Sequence, residues 1–149
     1  MTCKFPDMIF HARNEQRMPF ELFVNGTLMR GLKLQANMGD SELIGEFRTE
    51  PRYRIHSIDD IHPGMYRLKD DEAGGVAVAG ELYLVDETTW QTIEAGEPPN
   101  LYRGRVLLED GREVYGILYP RELAEQHYPD ISEHGGWREY MQSKATESE

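Results

Sequence analysis

Short strand-type segments recur along most of this chain with turn signals between them, which leaves little length for helices. Apolar or alternating patterns predict strands at residues 20–24, 43–48, 53–58, 66–68, 76–85, 102–108 and 113–119. Helical spacing predicts short helices at 86–93, 121–126 and 136–141. We interpret residues 62–65 as a turn, and Asp110-Gly111 as a tight hairpin connection. These elements predict an α+β fold, a small mixed and mostly antiparallel β-barrel with short flanking helices.

A chain of 149 residues is long enough for one hydrophobic core and too short for two independent ones. Residues 1–19 have no sustained periodicity and are interpreted as an N-terminal arm. Residues 20–143 form the predicted domain, and residues 144–149 are interpreted as a polar tail.

Charge and composition exclude several classes of partner. The formal net charge of −11 opposes binding to phosphate backbones and anionic lipids, so we expect neither nucleic acid nor membrane partners. There is no apolar run of about twenty residues, and the single cysteine, Cys3, cannot form an intrachain disulfide. We therefore expect a cytoplasmic protein. The five histidines lack the paired spacing of a metal site, and no metal is predicted.

The clearest candidate site is the end of the first strand, Asn25-Gly26-Thr27-Leu28. A glycine directly after a buried strand allows a sharp turn whose successive N–H groups point into one concavity, which suits carboxylate or carbonyl oxygens. The alternative is that Gly26 only makes a tight turn. If the site exists, we expect Gly26→Val to impair binding more than folding, because the added Cβ would occupy the space of a ligand oxygen.

At these residues the chain resembles the γ-glutamylcyclotransferase family, also called AIG2-like, whose first strand ends in Tyr-Gly-Ser/Thr-Leu. The resemblance continues at Tyr53-Arg54-Ile55 with His62-Pro63-Gly64-Met65, and at Val78-Ala79-Gly80-Glu81-Leu82-Tyr83-Leu84-Val85-Asp86. Ile93-Glu94-Ala95-Gly96-Glu97 corresponds to the family's Leu-Asp-x-x-Glu, and Tyr102-Arg103 to the opening of its next strand. The order of these segments, across roughly residues 20 to 120, is more specific than any one of them.

This resemblance implies release of 5-oxoproline from a γ-glutamyl amine or amino acid, with Glu97 as the general acid/base. Glu94 is an alternative occupant of that position. The implied or candidate substrate-binding residues are Asn25, Gly26, Thr27, Leu28 and Tyr119, and no cofactor is expected. For Tyr119, at the end of the last strand, packing at the edge of the core is an equal alternative. Two positions depart from the family pattern: Asn25 replaces the usual tyrosine, and Pro98 replaces the glycine after the glutamate.

The chain is also similar to the C-terminal domain of allophanate hydrolases. This similarity rests on Gly45-Glu46-Phe47, Pro63-Gly64-Met65-Tyr66-Arg67, Gly80-Glu81-Leu82-Tyr83 and the run of residues 105–116. It implies the same fold without cyclotransferase chemistry. The alternative function is therefore a non-catalytic or auxiliary module that binds a small carboxylated or ureido compound. Under either interpretation the expected partner is a small molecule, and the expected state is a monomer or a weak homodimer.

Overall fold

The computed structural model describes residues 19–148 as two sheets with three helices around them. The predicted N-terminal arm, apart from Pro19, lies outside the described residues. The strands are β1 (Phe20–Val24), β2 (Glu42–Arg48), β3 (Tyr53–Ile58), β4 (His62–Arg67), β5 (Ala79–Val85), β6 (Tyr102–Leu107) and β7 (Glu113–Leu118). The helices are α1 (Glu87–Gly96), α2 (Arg121–His127) and α3 (Trp137–Ser148), with 3-10 turns at Gln35–Met38 and Ser132–His134.

The larger sheet has the order β2-β5-β1-β7-β6, and β3 pairs with β4 in a separate two-stranded sheet. Strands β1 and β7 are parallel, and all other neighbours are antiparallel. The α+β class is confirmed, but the sheet does not close into a barrel. Its two edges approach each other at an isolated bridge between Thr49 and Leu108, just beyond β2 and β6.

The predicted strands are found with small shifts at their ends, but the predicted turn at residues 62–65 is wrong. His62–Arg67 is strand β4, paired in register with β3 so that Ser57 faces Pro63. The turn lies upstream, where Asp59 and Asp60 both have φ of 57°. Aspartate tolerates this left-handed conformation better than most residues, so the chain reverses three residues before the proline.

The main core contains buried residues of the large sheet, α1, β3, β4 and α3. Leu22 and Phe23 in β1 are fully buried, and α1 packs Trp90 and Ile93 against the sheet. The helix begins at a typical cap, because the Asp86 carboxylate accepts a hydrogen bond of 2.7 Å from the Thr89 N–H. It ends at Gly96, so the next residue, Glu97, leaves the helix beside the end of the sheet.

Helix α3 continues to Ser148 and therefore includes most of the segment predicted as a polar tail. Within residues 19–148, no helix is both long and apolar enough to cross a membrane. The same residues contain no group of three or more His, Cys, Asp or Glu side chains placed to hold a metal ion.

Candidate functional site

A small, partly open recess lies where the end of β1 meets β4, β7 and the segment after α1. One wall is the β1 end with its following turn, and the opposite side is formed by residues from the other three elements. The lining residues are Val24, Asn25, Gly26, Thr27, Leu28, His62, Pro63, Glu97, Leu101 and Ile117. The structure therefore brings Glu97 together with the predicted Asn25–Leu28 segment, although some seventy residues separate them in sequence.

The turn after β1 leaves its N–H groups available. The Met29 N–H donates to the Gly26 carbonyl at 3.0 Å, and the Leu34 N–H donates to the Thr27 carbonyl at 2.8 Å. These bonds use carbonyl oxygens of the turn, and none of residues 19–148 accepts a hydrogen bond from the N–H of Gly26, Thr27 or Leu28. Unused donors at the edge of a concavity can bind a carboxylate or carbonyl oxygen.

The reason given above for the effect of Gly26→Val is wrong. A Cβ at Gly26 would lie 2.7 Å from Cδ and 2.8 Å from Cγ of Pro63. The added atom would therefore collide with the proline ring of β4 and would not fill the space of a ligand oxygen. Gly26 allows β1 and β4 to approach each other at the recess, so its replacement is expected to reduce folding stability as well as binding.

The carboxyl group of Glu97 is half-buried and has no hydrogen-bond or ion-pair partner among residues 19–148. Burial raises its pKa to about 7. Pro98 and Pro99 follow, and Asn100 then adopts φ of 75°, so the chain turns back towards β6 with limited freedom. Glu94, the alternative candidate, is exposed on α1 and does not line the recess.

The sequence indicated no metal site at His62 and singled out no other role for its side chain, but His62 lines the recess and is 6% exposed. Its Nδ1 lies 2.9 Å from the Pro63 carbonyl oxygen, so Nδ1 carries the proton and Nε2 is left as an acceptor. Burial lowers the pKa of His62 and thus favours the neutral ring. Only its position directly before Pro63-Gly64, one of the family-like segments, could have drawn attention to it.

Tyr119 does not line the recess. Its ring lies behind β4, with the centroid 6.2 Å from that of His62, and a Cβ at Gly64 would lie 2.8 Å from it. Tyr119 is 2% exposed and belongs to a small second cluster with Ile58 and Tyr66. It therefore supports the wall that carries His62.

Glu81, a carboxylate of β5 that is 1% exposed, binds Arg30, which lies two residues after the Asn25–Leu28 turn. The N–H and Nε of Arg30 each donate to it at 2.9 Å, and the Tyr83 hydroxyl donates at 3.1 Å. Arg138 of α3 lies 3.5 Å from the same carboxylate and also donates to the Arg30 carbonyl. These contacts hold Arg30, next to the turn, between β5 and α3, and sequence reasoning assigned no such role to Glu81.

Comparison with known proteins identifies relatives of two kinds. A curated Vibrio cholerae protein named "Putative gamma-glutamylcyclotransferase" is 37% identical over 68 residues, which are 46% of this chain and 53% of that protein. This chain therefore matches about half the length of that relative. The crystal structure of a uropathogenic E. coli-specific protein is 39% identical with a TM-score of 0.77, covering 83% of this chain and 96% of that one.

The structure of Kluyveromyces lactis allophanate hydrolase shares the fold with a TM-score of 0.75 at 23% identity. The match covers 84% of this chain and 21% of that chain. Both resemblances seen in the sequence are thus confirmed. The model of the allophanate hydrolase C-terminal domain family matches residues 20–142, which is most of the chain. The chain therefore belongs to the allophanate hydrolase C-terminal domain family.

Proposed function

We propose that the recess binds a γ-glutamyl amine or amino acid and that Glu97 catalyses its cyclisation to 5-oxoproline. The observation that carries this proposal is Glu97, which lines the recess, whose carboxyl group has no partner in the described part of the chain, and whose pKa burial raises to about 7. A group with that pKa can both accept and donate a proton near neutral pH. A solvent-exposed glutamate, as a purely binding module would allow, has no such property.

In the proposed reaction, Glu97 accepts a proton from the α-amine of the substrate as the amine nitrogen attacks the side-chain carbonyl carbon. The new C–N bond closes the ring, and the carbonyl oxygen becomes an oxyanion that the N–H groups of Gly26, Thr27 and Leu28 can stabilise. The oxyanion collapses, the original amide C–N bond breaks, and the departing amine takes the proton from Glu97. Because the attack is intramolecular, the main task of the protein is to hold the folded-back substrate.

The neutral state of His62 supports this assignment. A positively charged imidazolium in the same recess would favour the ionised form of Glu97 and would lower the pKa of its carboxyl group. Burial instead lowers the pKa of His62, so the ring of His62 favours the neutral form beside Glu97. Among residues 19–148, no Lys or Arg lines the recess, which leaves backbone N–H groups as the principal candidates to hold a substrate carboxylate.

The second candidate function is an auxiliary module that binds a small carboxylated or ureido compound without turnover. The family match over residues 20–142 favours it, since that family is named for a domain of a larger enzyme. In both cases we propose a cytoplasmic monomer or weak homodimer that needs no cofactor.

The two functions are separated by the release of 5-oxoproline. The purified chain is incubated with a panel of γ-glutamyl amines and γ-glutamyl amino acids, and 5-oxoproline is quantified by mass spectrometry. We expect turnover of at least one donor. If no donor yields 5-oxoproline while small carboxylates still bind in the recess, the cyclotransferase proposal fails and the binding module replaces it.

A further inference from the structure

The side-chain amide of Asn25 has a hydrogen-bond partner within residues 19–148 at its nitrogen, Nδ2, and none at its oxygen, Oδ1. Asn25 is 5% exposed and lines the recess. Its hydrogen bond is donated by Nδ2 to the Met65 sulfur at 3.4 Å, and a thioether is a weak acceptor. No donor to the Asn25 carbonyl oxygen is found among the described residues. Buried side-chain amides normally have partners at both ends, so this oxygen is unusual.

The side-chain oxygen of Asn25, Oδ1, is the amide atom that can contact a ligand in the recess. The two amide atoms diverge from Cγ, and Nδ2 points to Met65, which is 1% exposed in the core. Among residues 19–148, the only fully enclosed side-chain N or O atom without a partner is the Ser41 hydroxyl. The Asn25 oxygen is therefore not sealed in the core, and the open space on its side is the recess.

The polar groups of the recess divide by type. The N–H groups of Gly26, Thr27 and Leu28 are donors suited to ligand oxygens. The side-chain oxygen of Asn25 and Nε2 of His62 are acceptors to which no donor among residues 19–148 is bound, so a ligand or solvent can supply one. A ligand that fills the recess without an N–H would leave the Asn25 oxygen unpaired, which weakens binding.

On the basis of the proposed function, we propose that Oδ1 of Asn25 accepts a hydrogen bond from an N–H of the ligand. This bond favours ligands that carry an N–H at that position. In the substrate this N–H belongs to the α-amine, and in 5-oxoproline it is the lactam N–H. Holding that N–H also orients the reacting nitrogen in the recess. Asn25 is thus a specificity-determining residue, and its role differs from the proton transfer assigned to Glu97.

The test compares two ligands that differ at a single ring atom: 5-oxoproline and 5-oxotetrahydrofuran-2-carboxylate, in which oxygen replaces the lactam N–H. Dissociation constants are measured by calorimetry for wild type, Asn25→Leu and Ile117→Val. We expect wild type to bind the lactam at least about tenfold more tightly, because the lactone places oxygen lone pairs against the Asn25 oxygen. In Asn25→Leu, which keeps similar volume, the ratio should fall to about one. Ile117→Val changes another lining residue that carries no polar side-chain atom and should keep the wild-type ratio.

Equal binding of lactam and lactone by wild type overturns the inference, as does the absence of binding of either. An unchanged preference in Asn25→Leu also overturns it, and Asn25→Ala serves the same comparison if the leucine variant does not fold. Because binding needs no turnover, the outcome is separate from the proposed reaction. A chain that releases no 5-oxoproline but shows an Asn25-dependent preference would contradict the proposed function and support this inference.

Discussion

Glu81 is fully buried and Glu97 is half-buried, and they differ in the number of hydrogen-bond donors around the carboxyl group. Glu81 is 1% exposed and accepts hydrogen bonds from the Arg30 N–H, the Arg30 guanidinium and the Tyr83 hydroxyl. Burial by itself would raise the pKa of Glu81, but these donors outweigh burial and hold the pKa below its ordinary range. Glu97 has no such donors among the described residues, and burial raises its pKa to about 7.

The difference shows that burial alone does not identify a functional carboxylate. A carboxylate whose oxygens all accept hydrogen bonds stabilises the fold, because protonating it would break several of those bonds. A carboxylate in a recess with no paired oxygen can change protonation at little structural cost. The same substitution, glutamate to glutamine, should therefore have opposite consequences at the two positions.

The largest effect is expected for turnover in Glu97→Gln. The amide keeps the size of the side chain but cannot accept and return a proton. If the chain is a cyclotransferase, kcat should fall by roughly 10²–10⁴-fold with little change in apparent affinity. The rate of 5-oxoproline release, measured with the best γ-glutamyl donor, checks this.

Glu94→Gln is the matched control for turnover, because Glu94 lies three residues earlier on α1 and is exposed outside the recess. Its kcat should remain within about twofold of wild type. An inactive Glu94→Gln beside an active Glu97→Gln would move the acid/base to Glu94. Full activity in both Glu94→Gln and Glu97→Gln would show that neither glutamate transfers the proton.

The next largest effect is expected for the stability of Glu81→Gln. The amide retains one oxygen but places an NH₂ group against donors of Arg30 or Tyr83, so at least one buried donor loses its partner. We expect a loss of about 2–4 kcal/mol in the free energy of unfolding. Urea denaturation followed by tryptophan fluorescence measures it. Glu46→Gln, which removes an exposed carboxylate 3.5 Å from Arg30, should change stability by less than about 0.5 kcal/mol.

Much of the fold was predictable because its signals are local. Phe20–Val24 and Tyr53–Ile58 were predicted with the observed bounds, since continuous apolar or alternating residues next to turn signals suffice to define a strand. The turn before β4 was misplaced because Pro63-Gly64 is a stronger turn signal than Asp59-Asp60. Residues 62–65 form a strand because they pair with β3, and the pairing of two strands cannot be read from the sequence of one of them.

The candidate site was predictable only in part. The segment Asn25–Leu28 and Glu97 were found through family-like motifs, and the structure brings both to one recess. His62 and the Glu81 support were missed because their environments depend on contacts between distant segments, such as those of Arg30 and Arg138 with Glu81. Tyr119 was placed in the pocket from its position at a strand end, but its ring packs behind His62.

The smallest effect is expected in the pH dependence of stability, where the two carboxylates act with opposite sign. The pKa of Glu97 is about 7 in the folded chain, above its ordinary value of 4.5. At a pH between these two values Glu97 is protonated in the folded state and ionised in the unfolded state. The free energy of unfolding therefore decreases as pH rises through this range. The contribution is fully present below pH 4.5 and is lost as pH rises through about 7.

Glu97→Gln should therefore gain stability relative to wild type between pH 4.5 and pH 8, by about 1–3 kcal/mol after allowance for its partial exposure. Glu81 acts in the other direction, because its lowered pKa stabilises the fold above the ordinary carboxyl range and this contribution is lost on acidification. Urea denaturation of wild type and both glutamine variants at several pH values separates the two contributions. A pH-independent difference between wild type and Glu97→Gln would mean that the carboxyl group of Glu97 is fully hydrated, and it would remove the observation on which the proposed acid/base role depends.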